Sequence, residues 1–470
     1  MKLAVSEIKR AQELARAIDE SRGLTAESRA YKSQAFHAGT NGLPVLHLDD
    51  VSGIPFLKDI LGVDLYQLRS RIRANTGDLF TATCPAMPDY DDYNRDQLLL
   101  GDPHFVQSHT VNQPIEVAFA CSQGQALAAT VEHARQAGGL VVHPYMGIEA
   151  VWALAADIQQ GAGCPVSVLA PPPAITWFAN DKCDVTEVTC ELVGSHAIVD
   201  SIIGTDPTAL ADGLRRLARH HERVAIKMAR CASAMGNHIL EAGEIHAMEQ
   251  SVLVDTVRAV LADKEWGEGE PVLAVAWEPA TASPSTQLWI PPIGGGAPRL
   301  DGVYEQLLEG PEQVFLGSIP SRLGADINGE LGRISLMIGT VYQALGYVGR
   351  CSFDFIEVAE GLKLTECNGR WGGTSTPMHL MDRLFPEGRP FYRAQDYVDS
   401  TWIGRSFADL HAALADLLYD ARTGEGNVIL YNVGCLPPFG KFDIIVVGND
   451  FDEASLVMAE TIPERLAEFA

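Results

Sequence analysis

The chain reads as an α/β protein whose N-terminal part is an open, mostly parallel sheet and whose later, larger part is α+β. Three observations carry this. Short apolar runs alternate with helical stretches from 43 to 169. A proline run, Pro171-Pro172-Pro173, then interrupts the pattern. Beyond it the chain turns to paired strands, ending in two alternating runs, 350–358 and 362–370, joined by Ala359-Glu360-Gly361. At 470 residues the chain exceeds one ordinary core and divides into roughly two to four units.

In order, residues 1 to about 38 have the Ala, Glu, Arg and Leu content of a helix. Strands are expected at 43–48, 79–83, 114–120, 139–143 and 165–169, with helices at 56–75, 123–137 and 148–160 between them. After the prolines, helices are expected at 183–192, 207–221, 249–262 and 332–345, and strands at 223–229, 272–277 and 285–290. The tail from Tyr392 carries a helix at 407–423 and strands at 428–433 and 442–447. No dinucleotide-binding glycine fingerprint opens the parallel part, and no internal repeat is visible.

The formal charge of -26 argues against nucleic acid or an anionic membrane as the main partner, because both reward clustered Lys and Arg. No apolar window is long enough to span a membrane. The first ten residues break into charge where a signal peptide needs its apolar core, so a soluble, cytoplasmic protein is expected. Nine cysteines without a C-x-x-C pair indicate reduced thiols rather than a zinc site or a disulfide framework. Cys367 points away from the polar face of its strand, and a buried thiol is the favoured reading there over a nucleophile.

The most informative stretch is the hairpin from Arg350 to Arg370. Pairing Val358 with Leu362 across a three-residue loop ending in Gly places Asp354 opposite Glu366, Ser352 opposite Asn368 and Arg350 opposite Arg370, all on one face. Like charges directly opposite each other destabilise a sheet, so a cation belongs between the carboxylates, and a hard divalent ion suits oxygen ligands best. The two arginines suit an anion beside that cation. A merely solvated hairpin face is the alternative, although it leaves the run Gly372-Gly373-Thr374-Ser375-Thr376-Pro377 unexplained.

Within 223–229, Val224, Ile226 and Met228 fill one face, while Lys227 stands between Ala225 and Ala229 on the other. Such a lysine can reach a phosphate as a point charge, and the loop through Ser233, Met235, Gly236 and Asn237 can bring backbone N–H groups over it. A lysine snorkelling from an edge strand is the alternative. Lys182 follows the proline run and precedes a helix, and read alone it is a surface lysine. Trp277 and Glu278 end a strand at a crossing between lobes, where the carboxylate could accept ribose hydroxyls or cap a turn.

Together these residues resemble the ATP-grasp superfamily: a strand lysine with its small-residue loop, a crossing at Glu278, and Asp354 twelve residues before Glu366-x-Asn368-x-Arg370. A narrower set resembles the pheganomycin-type peptide ligases, which carry a pre-ATP-grasp domain in front. It comprises Asn180-Asp181-Lys182, Lys227 through Asn237, Ser283-Pro284-Ser285-x-Gln287, and Asn368-x-Arg370-x-Gly372-Gly373-Thr374-x-x-Pro377. The likeness covers roughly residues 40 to 400. It implies a pre-ATP-grasp domain at 1–172, a first ATP-grasp lobe at 173–282, a second at 283–400 and a C-terminal extension at 401–470.

It further implies ATP and Mg²⁺, with Asp354, Glu366 and Asn368 holding the metal and Lys182 and Lys227 on phosphates. Ser233 to Asn237 would form the covering loop, Trp277 and Glu278 would lie near adenine and ribose, and Arg370 with Arg350 would stabilise the transferred phosphate. The loop has fewer glycines than such loops often show, and the crossing lacks a second acidic residue.

The activity implied is an ATP-dependent carboxylate-amine ligase forming an amide through an acyl phosphate. Its substrates would be amino acids or small peptides in natural-product biosynthesis, and a homodimer is the default assembly. A kinase- or carboxylase-like use of the same site and a non-catalytic nucleotide-binding protein are the competing readings. His143 and His379 stand near strand or loop ends, but the base that deprotonates the amine is unassigned.

Overall fold

The computed structural model describes residues 2–32, 42–55, 57, 62–231, 235–310 and 314–469. Five parallel strands, β1 (Val45–Leu48), β2 (Leu79–Ala82), β3 (His104–Gln107), β4 (Leu140–Pro144) and β5 (Val166–Val168), form the first sheet in the order β3-β2-β1-β4-β5. All but β3 are buried throughout, so they read as apolar runs rather than as alternating ones. The helix Glu149–Ala162 covers the sheet with Val151, Trp152, Leu154, Ala155 and Ile158. Chain order reverses between β1 and β4, and the carboxyl ends of these neighbours frame the crevice where open α/β sheets receive ligands.

Two expectations need correction here. The apolar run 114–120 is not a strand: Val117–Cys121 is a helix whose buried Val117, Ala118, Ala120 and Cys121 recur at helical spacing. The edge strand is instead His104–Gln107, short and only partly buried, which left no periodic signal. The helix expected at 56–75 is a 3₁₀ helix, Val63–Arg73, and 56 and 58–61 lie outside the described residues.

At the N-terminus the helix Val5–Arg22 ends at Gly23 in the left-handed conformation. It packs against the helix Ala325–Leu345 rather than the first sheet: Ala11 and Ala15 join a core with Leu331, Ile334 and Ile338, and Glu7 pairs with Arg333 at 2.9 Å.

The second sheet is antiparallel, β6 (Ser201–Gly204), β7 (Arg223–Met228), β8 (Asn237–Glu241) and β9 (Val272–Ala276), in the order β6-β9-β7-β8. The helices Pro207–Leu217 and Gln250–Asp263 bury one face against Val224, Ile226 and Met228. The other face carries Ala225, Ala229, Leu273 and Val275 with Cys183, and Trp277 packs at its border.

The third sheet has eight antiparallel strands: β10 (Pro284–Ile290), β11 (Arg299–Glu309), β12 (Val314–Pro320), β13 (Gly349–Val358), β14 (Gly361–Asn368), β15 (Phe391–Val398), β16 (Val428–Tyr431) and β17 (Lys441–Gly448). Their order, β14-β13-β10-β11-β12-β15-β17-β16, places the C-terminal strands in the same sheet as the hairpin, at its opposite edge. The helix expected at 407–423 stops at Ala413: turns follow at 414–418, Tyr419 N–H bonds Val428 O of β16 at 2.8 Å, and residues 420–425 fold back in a turn closed by Asp420 N–H to Glu425 O at 2.9 Å. Among the described residues no helix is long and apolar enough to cross a membrane.

Candidate functional site

The hairpin of β13 and β14 places Asp354 opposite Glu366 and Ser352 opposite Asn368. The route to that register differs from the expected one. Val358 pairs with Gly361 rather than Leu362, and a bulge between Asp354 and Phe355 takes up the remaining residue. Arg350 is not opposite Arg370, since β14 ends at Asn368. It pairs across β10 with Trp289, is ion-paired to Asp301, and lies over the rings of Trp289 at 5.4 Å and Trp371 at 5.6 Å. Arg350 is therefore anchored in a buried ion pair, away from the carboxylates.

Two lysines converge on the hairpin from different elements. Asp181 caps the helix Lys182–Leu192, accepting from the N–H groups of Cys183 at 2.9 Å and Asp184 at 3.3 Å, and the N–H of Lys182 bonds Ala229 O at 2.8 Å. This docks the helix start on the end of β7, whose Lys227 faces the same way. Lys182 Nζ lies 3.2 Å and Lys227 Nζ 3.9 Å from Glu366 Oε2. Lys182 also donates to Cys231 O at 3.1 Å, and Lys227 to Thr365 O at 3.3 Å.

Beside them, Asn368 Nδ2 donates to Asp354 Oδ2 at 2.9 Å, and Arg370 Nη2 to Asn368 Oδ1 at 2.8 Å. Asn180 clamps the hairpin end to the lysine helix: its Oδ1 accepts from Gly369 N at 3.0 Å and its Nδ2 donates to Gly369 O at 3.2 Å. A Cβ on residue 369 would meet Ala179 Cβ at 2.7 Å, so only glycine allows this approach.

The electrostatics separate the two carboxylates. Burial alone would raise Glu366, but Lys182 and Lys227 outweigh it and hold its carboxyl well below the usual range. Burial and then the neighbouring Glu366 push Asp354 upward. Burial also depresses both lysines; Cys231 and Glu366 reverse this for Lys182, whereas Lys227 stays below its ordinary value. Asp354 makes no ion pair of its own, although Arg370 and Lys227 act on it from farther away, and with Glu366 and the Asn368 amide oxygen it offers only oxygen ligands. That donor set fits a hard divalent cation that retains several waters. Among the described residues no group of three or more His, Cys, Asp or Glu is placed to hold a metal.

Asn237 begins β8 directly opposite Lys227, and its buried Oδ1 has no hydrogen-bond partner. Gly236 O accepts from Met228 N at 3.0 Å; Met235 is exposed, and Ser233 lies outside the described residues. Trp277 and Glu278 follow β9, both partly buried. His143 and His379 flank Trp371, with ring centroids at 5.5 and 5.3 Å, and burial followed by nearby arginines keeps both well below the ordinary histidine value.

Sequence reasoning missed Tyr145, at the carboxyl end of β4. Its hydroxyl accepts from Arg370 Nη1 at 3.3 Å, its ring carries that guanidinium at 5.6 Å, and its carbonyl accepts from Trp371 N at 3.1 Å. The signal available was its place just beyond a strand next to the sheet's reversal point. A cavity of about 780 Å³, lined by Trp177, Asp181, Asp184 and Arg230 among others, opens near the start of the lysine helix; the hairpin residues do not line it.

An open parallel sheet, a small antiparallel lobe carrying a strand lysine, and a large antiparallel lobe carrying the carboxylate hairpin define an ATP-grasp fold. Among solved structures the chain is similar to N5-carboxyaminoimidazole synthase from Aspergillus clavatus, in complex with ADP and 5-aminoimidazole ribonucleotide. The two are 12% identical over 90% of this chain and 99% of that one, with a TM-score of 0.51. The ADP complex of purK, N5-carboxyaminoimidazole ribonucleotide synthetase, is 10% identical over 91% and 97%, with a TM-score of 0.50. Biotin carboxylase from Campylobacter jejuni, solved as a β-γ-ATP complex, is 10% identical over 88% and 89%, also with a TM-score of 0.50. A family model described as the PGM1 C-terminal domain matches residues 409–460. No curated protein matches the chain.

Proposed function

We propose that this protein is an ATP-dependent carboxylate-amine ligase that joins amino acids or short peptides, in the manner of the pheganomycin-type ligases it resembles. The observation that carries the reading is the convergence of Lys182 and Lys227 on Glu366, beside Asp354, Asn368 and Arg370. Phosphoryl transfer asks little covalent chemistry of a protein and much positioning and charge neutralisation, which this set supplies.

In this reading Lys182 and Lys227 leave Glu366 for phosphate oxygens of ATP. Asp354, Glu366 and Asn368 would hold a Mg²⁺ ion, which when bound would supply charge neutralisation at the phosphates. The loop through Ser233, Met235, Gly236 and Asn237 covers the phosphates, while Trp277 and Glu278 border the base and ribose. The substrate carboxylate attacks the γ-phosphorus and ADP departs; an amine then attacks the acyl carbon, loses a proton, and phosphate leaves. Arg370, oriented by Asn368 and Tyr145, faces the transferred phosphoryl group. Arg350 acts from behind through Trp371, as a positioning residue. The units 1–172, 173–282, 283–400 and 401–470, a dimeric assembly, a cytoplasmic setting and a place in natural-product biosynthesis belong to the same proposal.

A carboxylase-type use of the site is the second reading, favoured by the names of the structural neighbours, with which the chain shares a fold at 10–12% identity. Incubation with Mg-ATP and pools of amino acids or short peptides, with phosphate release measured and products identified by mass, separates the two. Amide products support the ligase. Release that depends on bicarbonate supports the carboxylase. Absence of release across broad pools, or undiminished release in Glu366→Ala, overturns the proposal.

A further inference from the structure

The cavity beside the lysine helix stands where three parts of the fold meet. Its walls come from the loops after β1 and β3, at the carboxyl end of the parallel sheet, from the end of β7 with the turn before β9, and from the helix Lys182–Leu192. The carboxyl end of such a sheet is where open α/β folds receive ligands. At about 780 Å³ the cavity has the size of a small-ligand site, and Ile54, Ile115, Trp177 and Met228 make much of its wall apolar. Gly53 lets the first loop press on Trp177: a Cβ there would meet Ile148 Cγ2 at 2.7 Å and the indole ring at 2.9 Å.

The charges in this wall do not balance. Asp181, Asp184 and Glu187 follow one another at helical spacing along one face, and two arginines answer them. Arg230 pairs with Asp181 at 3.2 Å and rests over the Trp177 ring at 5.6 Å, while Arg22 is shared by Asp184 at 2.5 Å and Glu187 at 3.4 Å. From the other walls Glu116, Glu265 and Glu270 add negative charge against Lys264, which pairs with Asp263 at 3.4 Å. Among the described residues the carboxylates of Glu116 and Glu270 accept only backbone N–H groups, of Gln113 at 3.4 Å and Gly267 at 3.3 Å. Asp181 and Asp184 are the most buried of the set, at 4% and 6% exposure, and burial followed by Asp181 pushes the Asp184 carboxyl up to about 7 in spite of Arg22.

The cation that this wall calls for is not a metal ion, since among the described residues no group of three or more His, Cys, Asp or Glu is placed to hold one. Carboxylates dispersed over apolar walls suit a charge carried on a hydrocarbon stem, whose methylenes lie on Ile54, Ile115 and Met228 while its N–H groups meet the carboxylates. We propose that the cavity is a binding site for an organic cation of this kind, the basic side chain of an amino acid or of a peptide. It is separate from the carboxylate hairpin, whose residues do not line it.

The test is calorimetric binding to the whole protein at low salt, which stands apart from the ligase reading because it needs no turnover. Two matched pairs of probes are used: free lysine against norleucine, and the tripeptide glycyl-lysyl-glycine against its norleucine counterpart. Within a pair only the side-chain ammonium differs. The lysine member is expected to bind at least about ten-fold more tightly, the scale of one charge-assisted hydrogen bond, and the pair that shows this names the source of the side chain. Asp184→Asn is expected to reduce that preference to about three-fold or less. Because this change also takes a partner from Arg22, Glu116→Gln and Glu270→Gln are combined in a second variant; it keeps both backbone hydrogen bonds and is expected to lower the preference about three-fold with a melting temperature within a few degrees. Equal affinities within both pairs overturn the site, and so does a preference that neither variant lowers.

Discussion

Glu366 and Asp354 face each other across the hairpin, yet converting each to its amide is expected to move stability in opposite directions. Glu366 neutralises two lysines, at 3.2 and 3.9 Å. At an effective dielectric of about 20 each contact has a Coulomb energy of roughly 4–5 kcal/mol before desolvation and lysine–lysine repulsion are counted. Glu366→Gln leaves two buried ammonium groups without their counter-charge, a change that costs about 3–5 kcal/mol in a sealed interior. Since 29% of the Glu366 side chain is exposed, about 2–3 kcal/mol is expected. Asp354→Asn removes the like charge opposite Glu366 and keeps an acceptor for Asn368, for a gain of about 1 kcal/mol near pH 8.

The assay is equilibrium urea denaturation without metal or nucleotide, where the midpoint falls for Glu366→Gln and rises for Asp354→Asn, while each variant loses phosphate release by about 100-fold or more. The pH dependence follows in sign. Asp354 has a raised value in the fold, so its ionised form opposes folding above that value, and the advantage of Asp354→Asn shrinks as pH falls through it. Glu366 has a depressed value, so its contribution is present above the ordinary glutamate range and lost only as pH falls through the depressed value. Midpoints that move in the same direction for both variants would refute the reasoning.

The two arginines of the hairpin segment are separable in the same way. Arg370→Met is expected to abolish phosphate release with a melting temperature within a few degrees of the unmodified protein, whereas Arg350→Met takes from Asp301 its buried partner, leaving only the exposed Arg299, and lowers stability by about 1–3 kcal/mol; equal melting temperatures for the two would remove the distinction. Buried His143 is held neutral well below the ordinary value of 6.5, so its contribution is present above that value and lost as the unfolded chain protonates. Between about pH 7 and pH 5 the stability advantage of the unmodified protein over His143→Gln is therefore expected to shrink, and chemical denaturation at the two pH values checks it.

Much of this fold was legible because its signals are local. The parallel strands are apolar runs bounded by turns, and the helix Glu149–Ala162 announces its buried face at helical spacing. What escaped depends on partners far along the chain. β11, β12 and β15 are only partly buried strands whose place is set by pairing across the third sheet, and β3 is a short edge. The run Val117–Cys121 shows the reverse failure, since a short apolar stretch carries no period that separates a strand from one buried helical turn.

The site divides along the same line. Asp354 opposite Glu366 follows from hairpin pairing alone, and the structure reaches that register by a different arithmetic, a tighter turn compensated by a bulge. Where a second element must be known, hairpin logic fails: Arg350 shares the polar face but is claimed by Asp301 of β11, which no local pattern connects to it. Lys182 and Lys227 are the instructive case between these. Neither looks exceptional alone, and they acquire meaning only because the N–H of Lys182 docks on Ala229, two residues beyond Lys227, so that both ammonium groups reach one carboxylate. A carboxylate that holds two lysines while its neighbour holds none is poised for exchange. In the proposed function an incoming polyphosphate would take over the lysines, and the carboxylates so released would be free to take a cation together, which would couple the two binding events at one hairpin.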